Sequence, residues 1–395
     1  MNFILRALEL LCLLKTYKIT MSNLCICFYT DVFLPSIGGA QTVLHHLATE
    51  CSKLGIRVVV LAPAPKRRKY DDSQYAYDVV RFKAPRSKKF GNRLRLIDLY
   101  KVYRKYRFNV LHCHAAYPQT FVARELRRWM NFPVICRPHG SDIVPEGGIR
   151  KSDYATGRMR KGLDIVDRFI AQCRYMADVM EDFGISSERI NIINNGVSLE
   201  DFSSVEPFKA EKPYAISVAN LIPRKGFDIM LKAFAKLERK DIEFRIVGRG
   251  DNTEKYEKLA EELGIADRVI FHGPKIGGEK IALLKGATVF LSASRKEPYS
   301  NSLLEAMAAG LPVIASAVDG CLEMVTPGVN GWLFPSEDID AMAHLIEQAF
   351  ADRPLMQKTS ASTIEYIAKH DWPIVAQQYI DLYREALGSR TNSHK

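Results

Sequence analysis

Short apolar runs recur along this chain at strand length, all but two of them uncharged, and helical spacing fills the gaps between them. The first half carries such runs at 24–30, 56–62, 110–112, 134–136, 169–171 and 191–193. The second half repeats the pattern at 214–218, 244–247, 269–271, 288–291 and 312–316. Runs of this kind suit strands buried on both faces of a parallel sheet. Segments 40–54 and 92–106, and the helix carrying Phe227, Met230, Leu231 and Phe234, read as helices between them. Alternating strands and helices predict an α/β protein with doubly wound parallel sheets.

A chain of 395 residues exceeds one ordinary core. We expect two Rossmann-like domains, 21–205 and 206–375, with the polar stretch 203–212 as linker and 376–395 as a closing helix and tail. A terminal helix is expected over 372–387. Residues 1–20 form an extension of another kind. Its apolar stretch, 3–14, is broken by Arg6 and Glu9. It is too short and too charged to span a bilayer and lacks a small-residue cleavage site. Met21 reads as an alternative start of translation; a short interfacial helix is the other reading.

Eight cysteines stand without C-x-x-C pairs, and Cys25, Cys27 and Cys136 fall inside strand patterns. They read as buried thiols of a reducing, cytoplasmic compartment. His112 and His114 share one face of a strand, but no further ligand cluster accompanies them, so no metal site is expected. The net charge of +11 is uneven, with 15 basic and 4 acidic residues over 66–107. This stretch includes KRRK (66–69), PRSKK (85–89) and the helix 92–106. On that helix Leu96, Leu99, Tyr100, Tyr103 and Tyr106 form an apolar stripe beside Arg93, Arg95, Lys101, Arg104 and Lys105. A basic amphipathic helix fits an anionic membrane surface; the alternative is a stripe facing the core. No nucleic-acid module is present, so no nucleic-acid partner is expected.

Candidate chemistry lies at the loops. In EPYSNSLLEAMAAGLPVIAS (297–316), Glu297 follows a strand end, where open α/β sheets bind ligands. A helix is expected from Ser302, with Glu305 in its first turn. Both carboxylates can accept hydrogen bonds from sugar or ribose hydroxyls. Equally, Ser302 and Glu305 fit a capping box, and Glu297 fits a solvated loop acid. Arg224 and Lys225 precede a helix start, an arrangement that attracts anions. Gly38 and Gly39 allow close backbone approach before the helix from Ala40. His139 and Asp142 lie on a loop after the strand at 134–136.

The two-glutamate segment resembles the E-x7-E motif of retaining glycosyltransferases of family 4, which have the GT-B fold. Further segments match in order: SIGGAQT, PHGSDI, NNGVSLEDF, LIPRKGFD and VGRGD. Together they cover residues 24–385. One departure is Gly-Gly-Ala-Gln where the family often has Gly-Gly-x-Glu, which puts the acidic contact of that loop in doubt. The resemblance implies two Rossmann-like domains facing a cleft, with a C-terminal helix crossing back to the first. It implies a UDP- or GDP-sugar donor and no metal or other cofactor. Arg224 and Lys225 would hold the diphosphate, and Glu297 the transferred sugar, assisted by backbone groups around Tyr299, Ser300, Asn301, Ser302 and Leu303. Glu305 would hold the ribose, Gly248 and Gly250 would line the nucleotide site, and the base would lie near 274–276. Gly38 and Gly39 would touch the donor phosphate. His139, and less firmly Asp142, would stand beside the reacting centre. The implied reaction is front-face transfer of a hexosyl unit to an acceptor hydroxyl. The expected acceptor is a glycan or lipid-linked glycan of lipopolysaccharide or capsule type, handled at the inner face of a membrane. The rivals are a nucleotide-sugar epimerase and a catalytically idle binding module of the same fold.

Overall fold

A computed structural model describes residues 24–36, 38–65, 70–83, 91–140 and 142–392. The N-terminal extension, KRRK, PRSKK and Ser141 lie outside the described residues. The chain divides into two compact units. The first comprises Met1–Gln172, Met176–Asn194 and Pro373–Lys395, the second Cys173–Tyr175 and Asn195–Trp372.

The first unit is built on β1 (Cys25–Tyr29), β2 (Arg57–Pro63), β3 (Asp78–Phe82), β4 (Val110–Cys113), β5 (Val134–Cys136), β6 (Arg168–Ala171) and β7 (Ile190–Ile192). These strands pair in parallel in the order β3-β2-β1-β4-β5-β6-β7. The second unit contains β8 (Tyr214–Val218), β9 (Glu243–Val247), β10 (Val269–Phe271), β11 (Val289–Ser292), β12 (Val313–Ser316) and β13 (Gly331–Phe334). Its order is β10-β9-β8-β11-β12-β13, again parallel. Each sheet starts in its middle, winds outward, then returns to wind the other way. The reversal falls between β1 and β4 in one unit and between β8 and β11 in the other. Loops leaving the carboxyl ends there diverge to opposite faces, and ligands bind in the gap. Two strands, β3 and β13, were not expected. Both are edges: β3 carries Asp78 and Arg81 on a half-buried surface, and β13 starts with a glycine.

The chain passes between units at Gln172–Cys173, Tyr175–Met176, Asn194–Asn195 and Trp372–Pro373. The polar stretch 203–212 belongs to the second unit because that unit satisfies its backbone. Lys285 Nζ donates to the carbonyls of Phe202 (2.9 Å) and Val205 (2.6 Å), and Phe208 N donates to Ala282 O at 2.9 Å.

The basic helix spans Gly91–Tyr106. Most of the expected stripe serves the core: Leu99 and Tyr106 are buried with Val102, and Tyr103 packs on Phe108 and Phe132. Arg95 is not solvated but ion-paired with Asp31 at 2.8 Å. The outward face carries Arg93, Lys101, Arg104 and Lys105 together with two exposed apolar side chains, Leu94 and Ile97.

The closing helix, Trp372–Asn392, is longer than expected and belongs to the first unit from Pro373 onward. Tyr379 and Tyr383 are fully buried there. Tyr379 Oη accepts from Arg137 Nη1 at 3.0 Å, and Tyr383 Oη lies 2.7 Å from His112 Nδ1. Farther along, Arg390 donates to Asp167 and Asn131. A buried imidazole nitrogen that loses its partner costs its desolvation. Tyr383→Phe is therefore expected to lower unfolding stability by about 1–3 kcal/mol in urea titrations, whereas Gln377→Ala on the exposed face leaves it unchanged.

Candidate active site

In the second unit the loops after β8 and β11 interlock. The first makes a single 3-10 turn, Pro223–Lys225, and Gly226 then starts the helix Phe227–Ala235. Gly226 is obligatory on two counts. Its φ is 65°, and a Cβ there would stand 1.9 Å from Ala293 O on the neighbouring loop. The six buried residues of the following helix anchor that turn to the sheet, each large one contributing about 1.5–3 kcal/mol of burial. Arg224 O accepts from Arg295 N at 2.8 Å, and Arg224 Nη1 donates back to Lys296 O at 2.9 Å.

This clasp places Lys225 Nζ against Glu297 Oε2 as an ion pair. Glu297 is 5 % exposed, so it is not a solvated loop acid. Its carboxylate also accepts from Ser294 Oγ at 3.3 Å, while its backbone N–H donates to Asp319 Oδ2 at 2.8 Å. Asp319 itself sits at φ 40°, and Gly320 N donates to Glu297 O at 3.1 Å. The loop after β12 therefore fixes Glu297 from the other side. Arg295 turns away from this pair, bridging Asp228 (2.8 Å) and Glu337 (2.7 Å). Burial pushes the Asp228 carboxyl up, but the bonds from Arg295 outweigh it and hold the group below its usual range. Beside Glu297, burial pushes the Cys321 thiol up to about 12, with the carboxylate adding to the effect, so that thiol stays protonated.

The helix expected from Ser302 begins at Asn301, and its N-cap is Ser300, whose Oγ accepts from Leu303 N at 3.3 Å. The capping-box reading is thereby corrected. Glu305 lies beyond the first turn and caps nothing; it pairs with Lys280 at 2.8 Å and stays about a quarter exposed. Leu303 is fully buried, so its side chain serves the core. Asn301 Oδ1 accepts from Asn195 Nδ2 at 2.6 Å, which ties the NNG segment to this helix start; Tyr299 and Ser302 flank it, half-buried. Gly248 has φ 142°, and a Cβ there would meet Ala219 O at 1.9 Å. A Cβ at Gly250 would stand 2.3 Å from Leu221 O. Both glycines are thus demanded by loop packing at the carboxyl ends of β8 and β9.

The first unit holds His139. Gly38 caps the helix Gly39–Lys53 with extended backbone. Asp142 is a brace for the loop: its carboxylate accepts from His139 N at 2.9 Å and from Ala116 N at 2.5 Å. Burial pushes its carboxyl up, against those two bonds. His139 Nε2 lies 2.6 Å from His114 Nδ1. His112 and His114 are fully buried. Burial, reinforced by the neighbouring histidines and the Arg137 guanidinium, holds both imidazoles well below their ordinary range. Burial and Arg137 bring His139 down to about 3. Among the described residues no group of three or more His, Cys, Asp or Glu side chains is placed to hold a metal, and the seven described cysteines are buried thiols outside any disulfide.

Arg224, Lys225, Glu297, Glu305 and His139 were candidates by residue type and position, and the structure sets Lys225 against Glu297, Glu305 against Lys280 and His139 against His114. No sequence pattern announces Asp319 or Lys280 as their partners, and His114 stood out only through its pairing with His112 and its place in the segment 112–117, expected beside the acceptor.

A family model described as glycosyl transferases group 1 matches residues 199–370, and one described as glycosyltransferase family 4 matches 37–201. The alpha-monoglucosyldiacylglycerol synthase of Streptococcus pneumoniae is 24% identical over 377 residues, covering 89% of this chain and 85% of that protein. Sucrose-phosphate synthase from Thermosynechococcus elongatus superposes with a TM-score of 0.80 at 22% identity, over 93% of this chain and 100% of the other. HepE of Anabaena, solved with UDP-glucose, gives 0.76 at 19% identity over 93% and 100%. The structural likenesses establish the GT-B fold.

The depressed histidines have a pH signature. The unfolded chain takes up protons near pH 6.5 while the folded rings remain neutral, so their contribution is complete above about 6.5 and is lost as pH falls. Unfolding free energy is expected to drop between about pH 6.5 and 5, by up to roughly 1.4 kcal/mol per pH unit for each such ring. His139→Asn should reduce that slope in urea titrations at a series of pH values.

Proposed function

This chain belongs to the group 1, family 4 glycosyltransferases, and on that premise we propose that it transfers a hexosyl unit from a nucleoside diphosphate sugar to an acceptor hydroxyl with retention of configuration. The observation that carries this reading is the meeting of Arg224, Lys225 and Glu297 where the second sheet reverses direction. The donor diphosphate lies at the start of the helix Phe227–Ala235, where backbone N–H groups and the positive dipole end favour an anion. As the glycosidic C–O bond breaks, charge grows on the diphosphate oxygen. Arg224 and Lys225 stabilise that charge, and the reaction needs no bound metal. Lys225 then divides its charge between diphosphate and Glu297, and the carboxylate is left to accept hydroxyls of the departing sugar. Glu305 takes the ribose, and His139 a hydroxyl of the transferred sugar. The acceptor approaches on the side that the diphosphate leaves, and the departing oxygen takes its proton.

Thermal unfolding with UDP and with GDP tests the donor site. At about a hundred times its dissociation constant, the matching nucleotide adds roughly 2.7 kcal/mol. The shift is expected without metal, unchanged by a chelator, and lost in Arg224→Ala. Lys225→Ala should lower kcat about 10²–10³-fold, the magnitude seen when one oxyanion donor is removed. No shift with any nucleoside diphosphate would end this reading.

The acceptor is a glycan or a lipid-linked glycan. HepE binds UDP-glucose and the pneumococcal relative is named for a glycolipid product, which supports a UDP-sugar donor and an acceptor at a lipid surface. The outward face of the helix Gly91–Tyr106 supplies contact: Leu94 and Ile97 enter the interface while Arg93, Lys101, Arg104 and Lys105 meet anionic headgroups. No helix among the described residues is long and apolar enough to cross a membrane. Flotation with anionic vesicles should recover the protein, and neutral vesicles should not. Lys101→Glu with Arg104→Glu should abolish recovery; equal recovery on both vesicle types would refute the electrostatic contact.

A further inference from the structure

We propose that His114 is a positioning residue that holds His139 in the tautomer with its proton on Nδ1, so that the loop offers the substrate a hydrogen-bond donor and not a base. The inference rests on the proposed contact between His139 and the transferred sugar.

Asp142 pins the loop backbone through His139 N and Ala116 N, so the His139 ring retains only its own rotation. The 2.6 Å bond from His139 Nε2 to His114 Nδ1 removes that freedom, with the ring centroids 4.2 Å apart. One of the two nitrogens must donate and the other accept. If His139 donated, His114 would carry its own proton on Nε2. That atom is buried and has no partner among the described residues. A buried N–H without an acceptor is among the rarest defects of folded proteins, whereas an unfilled acceptor lone pair is better tolerated. The cheaper arrangement leaves the lone pair on His114 Nε2, puts the His114 proton on Nδ1, and donates it to His139 Nε2. A neutral His139 then bears its proton on Nδ1. Its ring is mostly buried but not sealed, and Nδ1 has no partner among the described residues, which makes that N–H the group a substrate oxygen meets. Burial and the adjacent Arg137 charge keep the rings neutral, so doubly protonated forms do not compete. A donor at this place orients a sugar oxygen and cannot take the acceptor's proton. The proton is then left to the departing phosphate oxygen.

Long-range 15N–1H spectra of the full chain labelled at histidine test this, with His139 assigned by the signals lost in His139→Asn. The expected wild-type pattern for His139 is a protonated Nδ1 and a bare Nε2; a protonated Nε2 would overturn the proposal without any variant. His114→Phe keeps a ring of similar size and removes the donor. His139 should then relax to the tautomer mixture of a free imidazole, and kcat should fall about 10–100-fold, as for lost supporting partners of other site residues. The donor KM should move less than roughly threefold, the signature of an interaction made in the transition state. His114→Asn, whose amide can donate from near the Nδ1 position, should restore both the tautomer and most of the rate. An unchanged His139 tautomer in His114→Phe would refute the positioning role. A released tautomer with unchanged turnover would uphold that role and instead remove His139 from the proposed sugar contact.

Discussion

The second unit is organised around a carboxylate that has been taken out of water. Glu297 can be buried because Lys225 reaches its carboxylate from the neighbouring loop and Ser294 Oγ donates to it, while the Asp319 carboxylate and the Gly320 N–H hold its backbone. Such a pair contributes little net stability, since desolvation offsets most of its attraction. What it imposes is geometry. The loops after β8, β11 and β12 must all be in register for the charges to meet, and Gly226 must lie flat against Ala293 to allow it. The two charges of the pair are thus held in place by one another.

The first unit solves a different problem with the same means. Arg137, His112 and His114 are polar groups deep inside a sheet, and two tyrosines of the closing helix reach in to meet the first two. Neutral imidazoles next to a guanidinium form a rigid polar interior. The loop carrying His139 rests on it through His114 and Asp142.

The central strands were legible because strands covered on both faces are largely apolar, and their short runs stand out; the charge inside β9, Arg245, is buried against Glu243 at 2.7 Å. β3 and β13 were not, since edge strands mix apolar, charged and glycine positions. The chemistry-bearing residues were legible as types at strand ends, but not as partners. Lys225 and Glu297 are 72 positions apart, and His114 and His139 are 25 apart. Only the order of strands brings them together. The helix start near Ser300 shows the finer limit. Ser300, Asn301 and Ser302 are all good caps by composition, and backbone geometry alone selects the first. Likewise Arg95 reads as a solvated cation until Asp31 is brought to it from the end of β1.

The closing helix gives the molecule an order in time. The ribosome makes most of the first unit, then the whole of the second, and only then the helix that carries Tyr379 and Tyr383. Until that helix emerges, His112 and Arg137 lack the hydroxyls that meet them, while Asn195–Trp372 can already complete its own sheet. The unit begun first is therefore finished last, and a nascent chain carries an open apolar seam on its amino-terminal portion throughout synthesis of the rest. A chain cut short just after Trp372 would carry a folded second unit attached to an incomplete first one.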